Sequence, residues 1–298
     1  MRTDYVVPYV DGSDPEWRKI FSARRAAAGM PIDEVELRRR YSANELFRYH
    51  FRSVEKYMPW IDTVHLLVMR DSQVPGWIDR DAVHVVRHDE FIPREFLPTF
   101  NSGTIECFLH RIPGLAPCFV YANDDMYLFA PVDREQMFDG AMPLVSRKVQ
   151  LGSPASQYDS MCMGMTRFIY GQLGVAYTPG LLSRSRHGHR AFNSAIYRKI
   201  YEKFRRHIDS TCTEFRSDRN TTESFFSVYY DLTTGGKYAG GASVRYFSFE
   251  RRDELVRFFA GDPARRAQSV CINNNDGDDL LLLSCMEKAF PSKSKYEV

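Results

Sequence analysis

Residues 119–129 read FVYANDDMYLF and place Asn123, Asp124 and Asp125 between two apolar, aromatic-rich runs. Each run has the composition of a β-strand, so the three polar residues are predicted to lie at an opening where a strand ends. Two adjacent carboxylates repel each other unless one is protonated or a cation bridges them. A hard divalent cation that also binds substrate phosphates would relieve the repulsion. The alternative interpretation is a solvated Asx-type turn in a hairpin.

A second acidic turn follows the first predicted strand, residues 5–10. The strand is followed directly by Asp11, Gly12, Ser13, Asp14 and Pro15. A strand, then a glycine turn, then a proline that opens a helix is typical of a βα loop. Such loops meet at the carboxyl edge of an α/β sheet, so Asp11 and Asp14 are predicted to face a ligand crevice. Capping of the helix that begins near Pro15 is the alternative role for Asp14.

The pattern along the rest of the chain alternates strands with helices. The segments 63–69, 83–87 and 243–249 have strand composition, and helices are predicted over 42–57, 193–207, 252–260 and 278–290, with another ending near 230. This alternation predicts an α/β fold, a Rossmann-like mixed sheet flanked by helices. No repeat or linker divides the chain, so residues 1–298 are expected to form a single domain. Inserted loops are expected around 134–190, because 134–174 shows no clear period.

Polar residues elsewhere are further site candidates. Asn101 or Ser102 is predicted to cap a helix with an apolar stripe, and Arg111 lies near its end, where interaction with the helix dipole is the alternative role. The run SRSRHGH, residues 183–189, suits phosphate binding and acid–base chemistry, unless it is a solvated basic loop. In SVCINNNDGDD, residues 269–279, amides and carboxylates follow a short strand with a spacing that does not match an EF-hand. The candidates in these two runs are Arg186, His187, His189, Asn273 and Asp276.

Composition restricts the class of protein. The 40 Lys and Arg against 38 Asp and Glu leave a net charge of +2, which argues against nucleic-acid binding. No stretch reaches the roughly 18 apolar residues that cross a bilayer, and no signal peptide is evident, so a soluble, cytoplasmic protein is expected. The six cysteines form no CxxC pair and are expected to be reduced and mostly buried.

Several of these segments, in this order, resemble the conserved regions of the Stealth family. They are YVDGSDPEW, RSVEKYMPWI, LPTFNSGTIECFLHRIPGL followed by FVYANDDMYL, the region of His187 and Arg216, and SVCINNNDGDD. The family comprises bacterial capsular and exopolysaccharide phosphotransferases and is similar to the catalytic part of the animal N-acetylglucosamine-1-phosphotransferase. The resemblance covers nearly the whole chain.

The resemblance implies an activity, a fold and a set of site residues. The activity is transfer of a sugar-1-phosphate from a UDP-sugar to a glycan hydroxyl, with release of UMP, and the fold is one related to nucleotide-sugar transferases. A divalent metal, Mg²⁺ or Mn²⁺, is implied. Because no hydrophobic anchor is evident in the sequence, any contact with membrane-bound capsule assembly machinery is expected to be peripheral. Together with the candidates taken from local sequence, the residues divide into catalytic (Asp11, Asp14, His187, Arg216), substrate-binding (Gly12, Ser13, Asn101, Arg111, Asn123, Arg186, His189, Asn273) and metal-binding (Asp124, Asp125, Asp276).

Two choices stay open at the level of sequence. Asp11 or His187 is the base that takes the proton of the acceptor hydroxyl. The alternative functions are a metal-dependent UDP-sugar glycosyltransferase that releases UDP, and a non-catalytic glycan- or nucleotide-binding relative. The second is suggested by two departures from the family pattern, at residues 41–43 and at Asn274.

Overall fold

A five-stranded mixed sheet lies at the centre of the fold. The computed structural model describes residues 1–34, 37, 41, 45–248, 252–262, 266–273 and 280–298. The sheet has the strand order β10-β4-β1-β2-β3. Its strands are β1 (Thr3–Pro8), β2 (Val64–Val68), β3 (Val83–Arg87), β4 (Cys118–Tyr121) and β10 (Arg190–Asn193). The four strands β1 to β4 are parallel, and β10 pairs with β4 in the antiparallel direction.

The strand order changes direction at β1. β2 and β3 extend the sheet on one side of β1 and β4 lies on the other, with Val6 of β1 in register with Tyr121 of β4. In open α/β sheets the crevice outside the carboxyl ends of the strands at such a switch point is the usual ligand site. The two predicted acidic turns follow β1 and β4 and therefore flank this crevice.

A smaller sheet, a hairpin and an antiparallel strand pair surround the central sheet. The smaller sheet has the order β11-β12-β5, with β5 (Met126–Leu128), β11 (Val244–Ser248) and β12 (Ser269–Asn273). A hairpin joins β6 (Phe138–Asp139) to β7 (Met142–Pro143). The strands β8 (Arg147–Leu151) and β9 (Leu181–Ser185) form an antiparallel pair, and the segment that connects them contains a helix. The turn between β4 and β5 carries the chain from the large sheet to the small one.

The helices pack against these sheets. They are α1 (Pro15–Ala27), α2 (Phe47–Tyr57), α3 (His88–Phe91), α4 (Ser102–Cys107), α5 (Arg134–Met137), α6 (Gln157–Leu173), α7 (Ser194–Thr211), α8 (Glu223–Thr233), α9 (Arg252–Ala260) and α10 (Leu280–Ala289). Short 3₁₀ segments span Asp71–Gln73, Arg94–Phe96 and Leu109–Arg111. The mixed α/β class is as predicted. The starts of three helices are also as predicted: α1, α4 and α7 are capped by Asp14, Asn101 and Asn193.

Apolar side chains fill both faces of the central sheet. Successive residues of a strand point to opposite faces, so Val6 of β1 joins one core cluster while Tyr5 and Val7 join another. Both clusters are fully buried at these positions. The near-continuous apolar run of β1 is therefore explained by helices on both sides of the sheet.

The prediction that residues 134–174 form only loops was wrong. The 17-residue helix α6 lies there, capped at its start by Ser156, whose hydroxyl accepts a hydrogen bond from the Asp159 amide. Its buried residues recur at helical spacing, but Gly164 and polar residues among them weaken the period in the sequence. Met161 and Met165 are buried on α6, as expected for core methionines. The run SRSRHGH was likewise not all loop, since its first three residues complete β9.

Two further expectations concern membrane spans and thiols. Across the described helices, none combines the length and the apolar character that a membrane crossing requires. All six cysteines, which lie within the described residues, are free thiols, and four of them are buried. Residues 42–44 of the predicted helix cap, Asn274 and Asp276 lie outside the described residues.

Candidate functional site

A cavity of about 800 Å³ opens at the carboxyl ends of β1 and β4. Its wall combines charged and aromatic side chains, which is a common composition for the site of a charged organic substrate. The acidic lining residues are Glu106, Asp124, Asp125, Asp159 and Glu223. The basic ones are Lys148, Arg184, Arg186, Arg190 and Arg216. The aromatic ones are Tyr9, Trp17, Tyr41, Phe47, Phe100, Tyr158 and Tyr246, and His88, His187, Asn123 and Asn273 also contribute.

The turn between β4 and β5 brings three oxygen-bearing side chains to this cavity. The amide of Met126 donates to the carbonyl of Asn123 at 3.2 Å and closes the turn. Asn123 Oδ1 and Asp125 Oδ1 are both buried without a hydrogen-bond partner. Burial and the neighbouring Asp125 charge raise the pKa of Asp124 to about 7. Buried oxygen atoms without partners, beside a destabilised carboxylate, are what a bound cation would satisfy.

The same turn lies beside a histidine and a cysteine. One ligand atom from each of Asp125, His187 and Cys271 falls within 4.8 Å of the other two. Cys271 Sγ donates to Asp125 Oδ2 at 3.2 Å, and burial together with the Asp125 carboxylate raises the pKa of this thiol well above its usual range. The site thus offers carboxylate and amide oxygens, an imidazole and a protonated thiol. These residues fit a divalent metal ion, and the oxygen atoms fit the hard ions Mg²⁺ and Mn²⁺.

Basic and aromatic groups form the wall near His187. The guanidinium of Arg216 lies 5.9 Å from the ring centre of Tyr158, and that of Arg184 lies 5.4 Å from the same ring. Arg216 Nε is buried without a hydrogen-bond partner. The His187 ring lies between Tyr158 and Tyr246, at 6.4 and 5.7 Å. Burial lowers the pKa of His187, and the Asp125 charge partly offsets this.

A buried pair of glutamates completes the floor of the cavity. Glu106 and Glu223 are 3% and 2% exposed, and Glu223 forms an ion pair with Arg190. Glu106 accepts hydrogen bonds from the Tyr121 hydroxyl at 3.0 Å and from the Glu223 amide at 3.1 Å. Burial and the Glu223 charge raise the pKa of Glu106 well above its usual range, whereas Arg190 holds that of Glu223 below it despite burial. The pair therefore carries one proton, on Glu106.

The β1–α1 turn lies beside the cavity and not in its lining. Asp11 Oδ1 accepts from the amide and the hydroxyl of Ser13, at 2.8 and 2.6 Å. Asp14 Oδ1 accepts from the Trp17 amide at 2.7 Å, which makes it the cap of α1. The amide of Gly12 donates to the Tyr41 carbonyl at 2.6 Å. The carboxylates of Asp11 and Asp14 are thus engaged within the turn, and the contact with Tyr41 links the turn to the cavity edge, which Tyr9 and Tyr41 line.

The remaining candidates divide between the cavity and the interior. Asn101 is fully buried and caps α4, with its amide donating to Thr104 and Thr213. His189 is buried with Nδ1 2.7 Å from Ser269 Oγ, and Arg111 is exposed at the end of a 3₁₀ segment. None of these three lines the cavity, whereas Asn123, Arg186 and Asn273 do. Of the twelve catalytic and substrate-binding candidates, the structure thus brings five into the cavity lining: Asn123, Arg186, His187, Arg216 and Asn273.

Sequence reasoning missed Glu106 and Glu223. Glu106 interrupts the apolar stripe of α4, and an acidic residue between Ile105 and Cys107 is a signal of a paired, buried carboxylate. Glu223 carried no such signal, because its position at the start of a helix is already explained by the helix dipole. Its partners lie 33 and 117 residues away in the chain.

Comparison with known proteins gives consistent results. Residues 40–144 match the family model described as Stealth protein CR2, conserved region 2. The chain is 39% identical to the receptor polysaccharide phosphotransferase WefC of Streptococcus oralis, over 100% of this chain and 99% of that protein. The WefC of Streptococcus gordonii is 37% identical over the same shares. An exopolysaccharide phosphotransferase of Streptomyces coelicolor is 30% identical over 99% of this chain and 52% of its own length.

Among solved structures, the chain is similar to the apo form of mouse xyloside xylosyltransferase 1. The sequence identity is 11% and the TM-score is 0.42, with 92% of this chain and 99% of that chain covered.

Proposed function

Since this chain belongs to the Stealth family and is a polysaccharide phosphotransferase, we propose that its donor is a UDP-sugar and its acceptor a glycan hydroxyl. The product is a phosphodiester between the sugar and the acceptor, and the released nucleotide is UMP. The observation that carries the proposal is the convergence of Asp124, Asp125, His187 and Arg216 on one cavity at the switch point of the sheet.

The reaction transfers phosphorus and conserves every atom. The acceptor oxygen forms a bond to the sugar-bearing phosphorus, while the bond from that phosphorus to the bridging oxygen of the diphosphate breaks. The bridging oxygen leaves with UMP, and the acceptor proton moves to a base of the protein. In-line transfer of this kind depends mainly on positioning and charge stabilisation, so the residues that hold the phosphates matter most.

We assign the divalent metal to Asp124 and Asp125, together with the amide oxygen of Asn123. A bound Mg²⁺ or Mn²⁺ would supply Lewis-acid stabilisation of the diphosphate charge. The unpartnered Oδ1 atoms of Asn123 and Asp125 support this assignment. The protonated thiol of Cys271 is a poor ligand for a hard ion, and we leave it outside the metal site.

Arg216 is assigned to the non-bridging oxygens of the donor phosphates. A guanidinium is a planar fork that donates two parallel hydrogen bonds to phosphate oxygens. The buried Nε of Arg216 has no partner among the described residues, and the Tyr158 ring packs near the guanidinium group. Arg216 is thus held at the cavity wall with donors available for a ligand.

His187 is our choice for the base that accepts the proton of the acceptor hydroxyl. It lines the cavity, and the cluster it forms with Asp125 places it beside the proposed metal site. Asp11, the other candidate, is outside the lining, and its Oδ1 is engaged by Ser13. Accessibility to a bound acceptor therefore favours the histidine.

The uridine is assigned to the aromatic part of the wall, formed by residues after β1 and before α4. Tyr9 stacks on Phe47 with ring centres 4.5 Å apart, and the Tyr41 hydroxyl donates to the Phe100 carbonyl at 3.0 Å. These rings line the cavity. Flat aromatic surfaces of this kind suit a nucleobase, which stacks with little loss of side-chain entropy.

Analysis of the nucleotide product tests the proposal. Purified protein is incubated with a panel of UDP-sugars and acceptor oligosaccharides, with Mg²⁺ and separately with a chelator. Metal-dependent UMP, with a phosphodiester in the glycan product detected by ³¹P NMR, is the expected result. UDP in place of UMP would assign the protein to the glycosyltransferases, and donor binding without any product would identify a non-catalytic binder.

A further inference from the structure

Three basic side chains project from one face of the antiparallel β8–β9 pair into the cavity. Lys148 of β8 is in register with Arg184 of β9, so the two side chains are cross-strand neighbours. The amide of Arg186 donates to the Ser146 carbonyl at 2.8 Å and continues the antiparallel pairing beyond β9. Because side chains alternate along a strand, Arg186 points to the same face as Arg184. All three line the cavity.

On the opposite face of the β8–β9 pair, the basic side chain is neutralised by an acidic one. Arg147, the neighbour of Lys148, forms a 2.6 Å ion pair with Asp231, which is buried. Arg184 has a looser pairing with Asp159 at 3.6 Å. Within the described part of the chain, neither Lys148 nor Arg186 forms an ion pair, and both side chains are exposed. Like charges on paired strand positions repel, so an anion bound between them would stabilise this arrangement.

The charges along the cavity wall indicate that a second anion, besides the donor, binds there. Among the described lining residues, Glu223 is paired with Arg190 and Asp159 with Arg184, while Glu106 holds a proton. Asp124 and Asp125 are assigned to the metal, and Arg216 to the donor diphosphate. The donor diphosphate carries two negative charges and Arg216 balances one of them, so one of the two positive charges of Lys148 and Arg186 is left that the donor and its metal do not require.

We propose that Lys148, Arg184 and Arg186 form an acceptor subsite that binds a phosphodiester already present in the acceptor glycan. This inference rests on the proposed function, because each transfer adds one phosphodiester to the chain. The product of one round is then a better acceptor for the next round than a neutral glycan is. The guanidinium groups supply paired hydrogen bonds to the phosphate oxygens, and the ammonium supplies a mobile point charge.

Two acceptors that differ in one group provide the test. The same oligosaccharide is prepared with and without a single internal phosphodiester, and the acceptor KM is measured for each with saturating donor. For the wild type, the phosphorylated acceptor is expected to have a KM about tenfold lower, the effect of one or two charge-assisted hydrogen bonds. Raising the chloride concentration is expected to reduce the difference, because salt screens exposed charges.

Variants test whether Lys148 and Arg186 of the β8–β9 pair cause the difference between the two acceptor KM values. In the double variant Lys148→Gln, Arg186→Gln, the ratio of the two acceptor KM values is expected to fall towards one. The control Lys199→Gln removes an exposed lysine of α7 outside the cavity lining and is expected to keep the wild-type ratio. Equal KM values for the two acceptors in the wild type would overturn the proposal, and so would a double variant with the wild-type ratio.

Equilibrium binding separates this inference from the proposed function. Affinity for the phosphorylated oligosaccharide is measured by calorimetry for the wild type and both variants, without donor. If no UMP is formed but the phosphorylated glycan binds tightly and only when Lys148 and Arg186 are present, the proposed function fails and the subsite stands. If UMP is formed while affinity is independent of the phosphate, the subsite fails and the proposed function stands.

Discussion

The backbone amide of Glu223, the first residue of α8, donates a 3.1 Å hydrogen bond to Oε2 of Glu106 on α4. This contact joins two helices at the floor of the cavity and brings two buried acidic side chains together. Their carboxyl groups interact with each other, and Arg190 supplies one positive charge. One positive charge balances one carboxylate, so the second carboxyl group is neutral.

The assignment of the proton to Glu106 gives the first prediction. Glu106→Gln keeps a hydrogen-bond donor towards Glu223 and is expected to change the free energy of unfolding by less than about 1 kcal/mol. Glu223→Gln removes the direct partner of Arg190 and is expected to lower the free energy of unfolding by more than Glu106→Gln does. The double variant leaves Arg190 buried without a carboxylate and is expected to cost about 3 to 5 kcal/mol. Urea unfolding measures all three, and a loss in Glu106→Gln equal to that of the double variant would contradict the assignment.

The raised pKa of Asp124, about 7, predicts how stability changes with pH in a chelator. Between pH 4 and 7 the unfolded chain has already lost this proton while the folded protein retains it, so stability falls as pH rises and levels off above pH 7. Asp124→Asn removes this dependence. At pH 8 the variant is expected to be about 1 to 3 kcal/mol more stable than the wild type.

Adding Mg²⁺ provides the control for this prediction, because a ligand that binds the folded state raises its stability. The midpoint of thermal unfolding at pH 8 is expected to rise with Mg²⁺ in the wild type and much less in Asp124→Asn. Parallel pH profiles for the two proteins in chelator would show that the Asp124 carboxyl does not titrate near neutral pH.

Substitution of His187 and Asp11 distinguishes the two candidate bases. His187→Gln is expected to lower kcat by about two to four decades, the typical contribution of a general base. Asp11→Asn keeps an oxygen acceptor for Ser13 and is expected to stay within about tenfold of the wild type, since Asp11 is outside the cavity lining.

The Mg²⁺ dependence of the residual activity separates a base from a metal ligand. If His187 is the base, His187→Gln is expected to need the same Mg²⁺ concentration for half-maximal rate as the wild type. A much higher requirement would identify the histidine as a ligand. A larger loss in Asp11→Asn than in His187→Gln would make the aspartate the base.

Gly12→Ala tests the packing of the β1–α1 turn. A Cβ atom at residue 12 would lie 2.5 Å from the Tyr41 carbonyl oxygen and 2.8 Å from its Cβ, and a backbone oxygen cannot move aside cheaply. The expected loss of stability is about 1 to 3 kcal/mol, as for other overpacked sites. Gly76→Ala is the matched control, because no atom lies within 4 Å of its added Cβ. Equal unfolding free energies for the two variants would show that the backbone of the turn moves to accommodate the added Cβ atom at little cost.

Several parts of the site were predictable because they depend on local rules. A carboxylate before a proline caps a helix, so Asp14 and the start of α1 could be located in advance. Apolar runs that end in polar residues marked β1, β4 and β12, and the polar residues had to follow those strands. The sequence also indicated that Asp124 and Asp125 lie at an opening, since adjacent carboxylates cannot be buried without a partner.

Tertiary structure alone decided which candidates share the cavity. Histidines 187 and 189 are equivalent in local sequence, yet the packing of Ser269 against His189 buries it, while His187 lies between two tyrosines at the cavity. The raised pKa of Glu106 depends on a contact with Glu223 across 117 residues of the chain. Local propensity fixes where strands and helices begin and end, whereas pKa values and ligand sites depend on side chains that meet only when distant segments pack together.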